Sequence, residues 1–278
     1  MSEYIKSPLN FTGGKYKLLP QILPLFPDKI ERFVDVFGGG FNVGINVEAD
    51  EIIYNDNCVQ LAELMASLAK YDVQKLLRYI DTMIEAYDLS KGNKDGYLKF
   101  RDFYNNSQHK SAIDLYILIC YAFNNQFRFN TSGEFNVPFG YRQFNQSNRE
   151  RMIKFCNALQ SKTVCTTCFD FKNLFKYSSV IDERNFYYCD PPYLNAVATY
   201  NENGKWTADD EKDLHSCLDE VNANGLKFAL SNNLKYDNLY LKEWMKKYNV
   251  HYLNADYSNC SYQKKDRSVD CEVLITNY

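Results

Sequence analysis

Short apolar runs that alternate with helix-like stripes place the strongest constraint on the fold of this chain. Each run ends in, or is followed directly by, glycine, asparagine or aspartate. Between the runs apolar residues recur at i, i+3, i+4 and i+7, the spacing of one helix face. The runs are RFVDVF (32–37), EIIYNDN (51–57), NFYYC (185–189) and LKFALSNN (226–233), and the stripes lie at 61–68, 111–123 and 214–221. VHYLNADYS (250–258) and CEVLITNY (271–278) predict antiparallel strands at the end of the chain. This alternation predicts an α/β fold with helices on the faces of a sheet.

The middle of the chain departs from this alternation of strands and helices. Residues 70–110 predict helical pieces with a loop at Ser90–Gly96, and residues 128–147 predict a short β-hairpin or extended loop that turns at Thr131–Gly133. Between Gln126 and Lys154, five basic residues stand against two acidic ones. A net charge of −3 for the chain argues against a generic nucleic-acid coat, but the local positive charge suits a binding cleft. The interruption therefore predicts an inserted domain with a basic surface.

The composition excludes several classes of protein. No apolar run approaches the ~20 residues that span a bilayer, and MSEYIKSPLN lacks the apolar core of a signal peptide. Nine cysteines are scattered along the chain, several of them in apolar runs, which predicts reduced thiols rather than a disulfide framework. We therefore expect a cytoplasmic protein that does not enter a membrane.

A glycine-rich strand end and a following acid predict a nucleotide-like cofactor. DVFGGGFNVG lets the backbone approach a ligand closely at the start of the next element. Asp56 ends the next predicted strand, where its carboxylate can accept hydrogen bonds from a ribose diol. The two features together indicate an adenosine-containing cofactor. An alternative for Asp56 is that it caps the following helix.

Other candidate motifs fail on inspection. GGKYK is not a P-loop, because that motif requires Ser or Thr after the lysine, where this chain has Tyr16. Cys165 and Cys168 have metal-ligand spacing, but no second pair follows and the chain has three scattered histidines, so we expect no metal site. The absence of GxSxG leaves acyl transfer without support.

The sequence Asp-Pro-Pro-Tyr directly after the run at 185–189 is the motif that indicates a type of reaction. The amino group of an aromatic base is a poor nucleophile because its lone pair is delocalised into the ring. A carboxylate from Asp190 and the carbonyl of Pro191 can accept both N–H bonds and localise that lone pair. Pro191 and Pro192 stiffen the loop, and Tyr193 can stack on a flat base. This loop predicts methylation of a planar amine.

These motifs together resemble the Dam-type DNA adenine-N6 methyltransferases of the D12 class, as found in phages and restriction-modification systems. The matching stretches are, in order, NFTGGKYKLL, FVDVFGGG, NDN, GEFNVPFG and CDPPY, and the resemblance covers Leu9 to Tyr278. It implies a Rossmann-like S-adenosylmethionine-dependent methyltransferase sheet with an inserted, mainly helical target-recognition domain. The implied boundaries are 1–57 and 155–278 for the catalytic domain and 58–154 for the recognition domain.

The resemblance also implies roles for individual residues. Lys15 would lie near the methionine carboxylate of S-adenosylmethionine, and Asp56 would hold the ribose hydroxyls. The implied cofactor-binding residues are Phe11, Lys15, Asp35, Phe37, Gly38, Gly39, Gly40, Asp56, Asp170, Phe171 and Asp190. The implied catalytic loop is Asp190, Pro191, Pro192 and Tyr193, and no metal is implied.

The resemblance implies double-stranded DNA as the substrate. The implied DNA-contacting residues are Asn124, Gln126, Arg128, Asn130, Pro138 and Arg142. Arginine is well suited to read guanine in the major groove. GATC-specific members place an apolar residue where this chain has Gln126, whose amide can pair with a base edge instead. GATC is therefore the leading expected target, with the sequence context open.

Several alternatives remain at this point. The chain could methylate another planar amine, such as cytosine N4, an RNA adenine or a protein glutamine, or it could be a non-catalytic DNA-binding relative. We further expect a monomer or weak dimer in a bacterial cell or a phage-infected host. A cognate restriction endonuclease is a possible partner in the same system.

Overall fold

A mixed β-sheet forms the centre of the molecule, and the computed structural model describes residues 4–10, 13–176, 182–195, 206–254 and 271–278. Within these residues the sheet has seven strands in the order β3-β2-β1-β4-β5-β7-β6. The strands are β1 (Arg32–Asp35), β2 (Glu51–Asn55), β3 (Val164–Thr167), β4 (Asn185–Cys189), β5 (Lys227–Asn233), β6 (Asn249–Asn254) and β7 (Cys271–Thr276). Strands β1 to β5 are parallel to one another, while β7 runs antiparallel to β5 and β6. This arrangement confirms the predicted α/β, Rossmann-like methyltransferase fold.

Helices cover both faces of the sheet. They are α1 (Leu19–Ile22), α2 (Val59–Lys70), α3 (Val73–Ala86), α4 (Lys94–Asn106), α5 (Ala112–Tyr121), α6 (Gln146–Gln160), α7 (Phe171–Lys176), α8 (Ala208–Ala223) and α9 (Leu239–Trp244). Short 3-10 turns lie at Lys15–Leu18, Leu23–Leu25, Gly44–Asn46, Phe123–Asn125, Leu234–Tyr236 and Met245–Lys247. None of the helices in the described part of the chain is long and apolar enough to cross a lipid bilayer.

The alternation of side chains along the central strands divides the core in two. Phe186 and Tyr188 of β4 face the cluster that also holds the helices between β2 and β3. Tyr187 and Cys189 face the second cluster, which holds α7, α8 and α9. Successive side chains of a strand point to opposite faces, so a strand covered on both faces is a continuous apolar run. This explains why Phe186 to Cys189 form an unbroken buried run that ends only at Asp190.

The segment between β2 and β3 is helical, as predicted. It contributes α2 to α6, and α2 packs against both α5 and α6. The predicted loop at Ser90–Gly96 is too long, because Asn93 accepts from the backbone of Gly96 and α4 begins at Lys94. The domain boundaries stay a prediction, and α6 contains residues on both sides of position 154.

The predicted hairpin at 128–147 forms only as isolated bridges. Phe129 pairs with Phe135, and Ala122 pairs with Phe139. The turn lies where it was predicted, with Gly133 at a φ of 74°, a conformation that glycine adopts without strain. The predicted antiparallel strands at the end of the chain are confirmed as β6 and β7, although residues 255–258 of the first lie outside the described residues. Thr207 and Asp210 form a capping box at the start of α8.

Candidate active site

The carboxyl edge of the sheet, at the junction of β1 and β4, brings the predicted motifs together. Asp35 ends β1 opposite Tyr188 in β4, and Asp190 follows β4 directly. The chain leaves these neighbouring strands toward opposite ends of the sheet, since β1 also pairs with β2 and β4 also pairs with β5. Ligands of parallel α/β sheets bind outside the carboxyl ends of strands at such a switch point.

Asp190 forms an ion pair with Lys15 from the N-terminal segment. Lys15 Nζ lies 2.8 Å from Asp190 Oδ1 and donates to the carbonyl of Gly13 at 2.9 Å. The Lys15 side chain is 2% exposed and that of Asp190 is 21% exposed. Burial raises the pKa of Asp190, and the positive charge of Lys15 opposes that rise. The loop therefore presents a carboxylate that a buried cation holds in place.

The hydroxyl of Tyr193 lies between two carboxylates. It is 3.3 Å from Asp190 Oδ1 and 3.1 Å from Glu272 Oε2, and Lys15 Nζ lies 5.2 Å from the centre of the tyrosine ring. Glu272 comes from β7 and is 3% exposed. Sequence reasoning missed Glu272, and the signal that could have found it is a single acid in the otherwise apolar strand CEVLIT.

The glycine-rich turn after β1 is held by Asp56. Asp56 Oδ2 accepts from the backbone of Gly39 and its Oδ1 accepts from the backbone of Cys58, each at 2.9 Å. A Cβ atom on Gly38 would lie 2.3 Å from Cε2 of Tyr54, so only glycine fits there. The N-cap position of α2 is Cys58, so Asp56 is not the capping residue, although it does pair with the N–H of Cys58. Asp56 thus ties the glycine turn to the end of β2.

Asp35 has an unsatisfied carboxylate oxygen. The side chain is 2% exposed, and Oδ1 has no hydrogen-bond partner among the described residues. Burial, followed by the charges of Asp190 and Asp56, raises the pKa of Asp35 well above its usual value. A buried acceptor without a partner is costly in a native structure. A hydrogen-bond donor, and above all a cationic one, would satisfy this oxygen.

Three aromatic side chains pack together beside the glycine turn. The ring centres of Phe37 and Phe171 are 5.6 Å apart, and Trp206 lies 5.7 Å from the former and 5.3 Å from the latter. The indole N–H of Trp206 donates to Glu211 Oε2 at 2.6 Å. Sequence reasoning missed Trp206, although its position just before the capping box of α8 placed it at the start of a helix. Gly40 completes the predicted cofactor turn as a buried residue.

Asn55 and Asp170 order the loops that carry these aromatic residues. The buried amide of Asn55 donates to the carbonyls of Val36 and Phe169, both at 3.0 Å. Asp170 is exposed, and its Oδ1 accepts from the backbone of Lys172 at 2.9 Å. In this structure the Asp170 side chain therefore stabilises the start of α7, while Asn55 joins the turn after β1 to the loop after β3.

Asn125 connects the helical segment between β2 and β3 to the N-terminal segment of the chain. Its Oδ1 accepts from Arg142 at 3.2 Å and from Asn10 at 3.1 Å. Asn10 Oδ1 in turn accepts from Arg151 at 3.1 Å. Asn124 and Asn125 both have a positive φ, 53° and 52°, in the left-handed region that asparagine tolerates better than most residues. The basic side chains of the insert thus meet the segment that leads to Gly13 and Lys15.

The other predicted DNA-contacting residues lie in and beside the hairpin. Arg128 Nε donates to Asn136 Oδ1 at 2.9 Å. Asn130 uses its amide within the turn, where Oδ1 accepts from the backbone of Glu134 at 2.9 Å. The carbonyl of Pro138 accepts from the backbone N–H of Phe123 at 2.8 Å. The partly exposed Gln126 follows the 3-10 turn at Phe123–Asn125. Gln126, Arg128, Asn130 and Pro138 therefore lie on one continuous segment of the chain, in and next to the hairpin.

Two further predictions concern the cofactor contact of Phe11 and a metal site at Cys165 and Cys168. Phe11 lies outside the described residues, so its predicted contact with the cofactor stays a prediction. Cys165 and Cys168 are exposed at β3 and just beyond it. Among the described residues no group of three or more His, Cys, Asp and Glu side chains is arranged to hold a metal ion.

Comparison with known proteins identifies the relatives of this chain. Residues 11–259 match the family described as D12 class N6 adenine-specific DNA methyltransferase. Type II methyltransferase M.FokI of Planomicrobium okeanokoites is 46% identical over all of this chain, and modification methylase StsI of Streptococcus sanguinis is 41% identical over 99% of it. The chain spans 43% of the length of each of these two proteins.

A more distant relative matches nearly end to end. The DNA adenine methylase of Escherichia coli (strain K12) is 26% identical, and the match covers 94% of this chain and 92% of that protein. The family match extends from the segment before Lys15, through the turn after β1, to a point beyond β6. The chain belongs to the D12 class of N6 adenine-specific DNA methyltransferases.

Proposed function

We propose that this chain transfers a methyl group from S-adenosylmethionine to N6 of an adenine that is flipped out of a short duplex DNA site. The observation that carries the proposal is the cluster of Lys15, Asp190 and Tyr193 beside the glycine turn after β1. It joins a carboxylate, a rigid Pro-Pro loop and an aromatic ring at the sheet edge where cofactors of this fold class bind. The family match supports the reaction class.

The residues present fit S-adenosylmethionine. The buried, unpartnered oxygen of Asp35 suits the ammonium group of the methionine end, and Lys15 suits its carboxylate. Asp56, at the end of β2, suits the ribose hydroxyls. Phe37, Phe171 and Trp206 form an aromatic cluster that suits the adenine ring. When bound, the cofactor supplies an electrophilic methyl group.

Asp190 and the carbonyl of Pro191 would act on the substrate amine. Both accept N–H bonds from N6, so that the lone pair is localised on nitrogen and directed at the methyl carbon. A C–N bond forms as the C–S bond breaks, and the proton that N6 releases passes to Asp190 or to water. Tyr193 stacks on the base, while Pro191 and Pro192 keep the carbonyl in place. Most of the rate enhancement would come from this positioning and from preset electrostatics.

The basic face of the insert would bind the DNA. N6 is not accessible to the cofactor inside the base stack, so the target adenine has to be flipped. Arg128 and Arg142 would contact guanine edges or phosphates, and Asn124, Asn130 and Pro138 would lie along the same surface. Gln126 would read a base edge, which leaves GATC as the first target to test and the flanking context to be mapped. In a restriction-modification system, such methylation would protect the host site from its endonuclease.

Transfer of a labelled methyl group tests the proposal. The purified chain is incubated with labelled S-adenosylmethionine and unmethylated DNA, and the product is digested to nucleosides. We expect label in N6-methyladenine and none in N4-methylcytosine. RNA and protein incubated in parallel should stay unlabelled. Label on any other amine, or no label at all, would reject the proposal.

Two further measurements test the recognition sequence and the role of Asp190. Mapping of the methylated bases gives the recognition sequence, with duplexes that contain or lack GATC as the first comparison. Asp190→Ala should abolish methyl transfer and leave DNA affinity within about threefold, because the carboxylate acts on the base after flipping. Near-normal turnover by that variant would show that Asp190 has another role.

A further inference from the structure

We propose that Glu272 is a positioning residue for the methyl transfer. Its carboxylate accepts the hydrogen bond that the hydroxyl of Tyr193 donates, so that Asp190 is left to accept from the amino group of the target base. This inference rests on the function proposed above. It concerns a residue of β7, at the antiparallel end of the sheet, that lies 82 positions after Asp190 in the chain.

The geometry places one proton between two carboxylates. A tyrosine hydroxyl has a single proton to donate, and that of Tyr193 lies 3.1 Å from Glu272 Oε2 and 3.3 Å from Asp190 Oδ1. Asp190 Oδ1 already pairs with Lys15 at 2.8 Å. Since a donor on a carboxylate stabilises its anion and lowers its basicity, a second donor weakens Asp190 as an acceptor. When the hydroxyl turns fully to Glu272, Asp190 keeps its strength for the N6–H bond.

Glu272 is itself held in a defined orientation. It pairs with Asn233 across β5 and β7, where Asn233 Nδ2 donates to Glu272 Oε1 at 3.0 Å. The orientation of the asparagine amide is set in turn, because its Oδ1 accepts from the backbone of Lys235 at 2.9 Å. Both Glu272 and Asn233 are buried. The remaining oxygen of Glu272 is therefore directed at Tyr193, and a buried carboxylate needs such a partner.

This arrangement makes Glu272→Gln an informative substitution. A glutamine has one acceptor oxygen and one donor NH₂ group. Because Asn233 presents its NH₂ group, the glutamine oxygen has to face Asn233, and the glutamine NH₂ group then faces the hydroxyl of Tyr193. The hydrogen bond reverses, and the Tyr193 proton is directed to Asp190. Volume and fold are kept while the acceptor is lost.

A second substitution restores the acceptor. In Glu272→Gln with Asn233→Asp, the new carboxylate accepts from the glutamine NH₂ group and can still accept from the backbone of Lys235. The glutamine oxygen then faces Tyr193 again. The double variant has the same net charge as the original pair, so a recovery reports on the direction of the hydrogen bond rather than on charge.

Single-turnover methyl transfer tests the inference. With saturating S-adenosylmethionine and duplex DNA, we expect Glu272→Gln to slow the transfer step about tenfold, as for the loss of one hydrogen bond. Cofactor and DNA dissociation constants should stay within twofold, and thermal denaturation should confirm folding. The double variant should return to within threefold of the original rate. In a Tyr193→Phe background, Glu272→Gln should have no further effect on the transfer rate.

Three outcomes would overturn the inference. Glu272→Gln could transfer methyl groups at the original rate, the double variant could stay as slow as the single one, or the same loss could persist in the Tyr193→Phe background. The last two would assign Glu272 a purely structural role. Failure of the proposed function is separate, because it would appear as absence of methyl transfer by the unaltered chain.

Discussion

Replacing Lys15 with methionine tests how the carboxylate of Asp190 is kept anionic. Methionine has a similar length and no charge, so the buried site stays filled while the cation is lost. In the structure Lys15 Nζ lies 2.8 Å from Asp190 Oδ1. It also counters the burial of Glu272, whose pKa is raised by burial and lowered by Lys15. The substitution leaves Asp190 and Glu272 without this shared cation.

The distance sets the scale of the effect. At 2.8 Å and an effective dielectric constant of about 20, the attraction between unit charges is about 6 kcal/mol. Water reduces this figure, because Asp190 is 21% exposed and the site can relax. We expect a net loss of about 2 kcal/mol, which corresponds to about a thirtyfold slower transfer at neutral pH.

The direction of the pH dependence follows from the same contact. Lys15 lowers the pKa of Asp190, so its removal raises that pKa and a larger fraction of the carboxyl group is protonated at a given pH. If the anion is the reactive form, the acid limb of the rate profile moves to higher pH. Transfer by Lys15→Met should therefore recover as the pH is increased.

Single-turnover transfer measured across pH, at saturating cofactor, is the assay. Saturation removes the contribution of any contact between Lys15 and the cofactor, whose dissociation constant is measured separately. Lys17→Met is the matched control, because Lys17 is an exposed residue of the same 3-10 turn. A profile for Lys15→Met that coincides with that of the unaltered chain would refute the argument that Lys15 tunes Asp190.

Three further predictions concern the cofactor turn, a helix start and the hairpin. Gly38→Ala should weaken S-adenosylmethionine binding, measured by calorimetry, at least tenfold, because the added Cβ would lie 2.3 Å from the ring of Tyr54. Gly92→Ala is the control and should bind the cofactor normally, because its added Cβ would have no atom within 4 Å. Thr207→Ala removes a capping box and should lower the free energy of unfolding by about 1 kcal/mol. This should appear as a fall in Tm of about 2–4 °C, and an unchanged Tm would contradict the prediction. Arg128→Ala should weaken binding to the mapped site by about 1–3 kcal/mol in a titration at fixed salt, and equal affinity for that site would exclude Arg128 from recognition.

Much of the fold follows from patterns within a few residues of one another. The strand at 185–189 and the stripe at 61–68 lie where they were predicted. Boundaries were less accurate. The helix predicted at 111–123 ends at Tyr121, because Ala122 is extended and the next residues include two left-handed asparagines.

The candidate site was only partly visible in the sequence. The glycine turn, Asp56 and the Asp-Pro-Pro-Tyr loop have local signatures, because their chemistry depends on backbone shape and on immediate neighbours. The unpartnered oxygen of Asp35 has no such signature, and the positions of Trp206 and Glu272 in their elements do not reveal what these side chains contact. The role of each of these side chains depends on contacts with residues that are distant in the chain.

Local sequence was enough to predict an α/β sheet with helices on its faces and a loop suited to amine methylation, because periodicity and rigid loops are properties of short segments. The resemblance of its motifs to a known family implied the methyltransferase fold with a helical insert. Only the tertiary structure could show that Lys15, Asp190, Tyr193 and Glu272 meet. Their meeting depends on strand order, which places β4 beside β1, and on the antiparallel register of β5 and β7, which sets Glu272 opposite Asn233. Strand order results from the packing of the whole core, and the register of strands that are distant in the chain depends on which face of each strand that core buries.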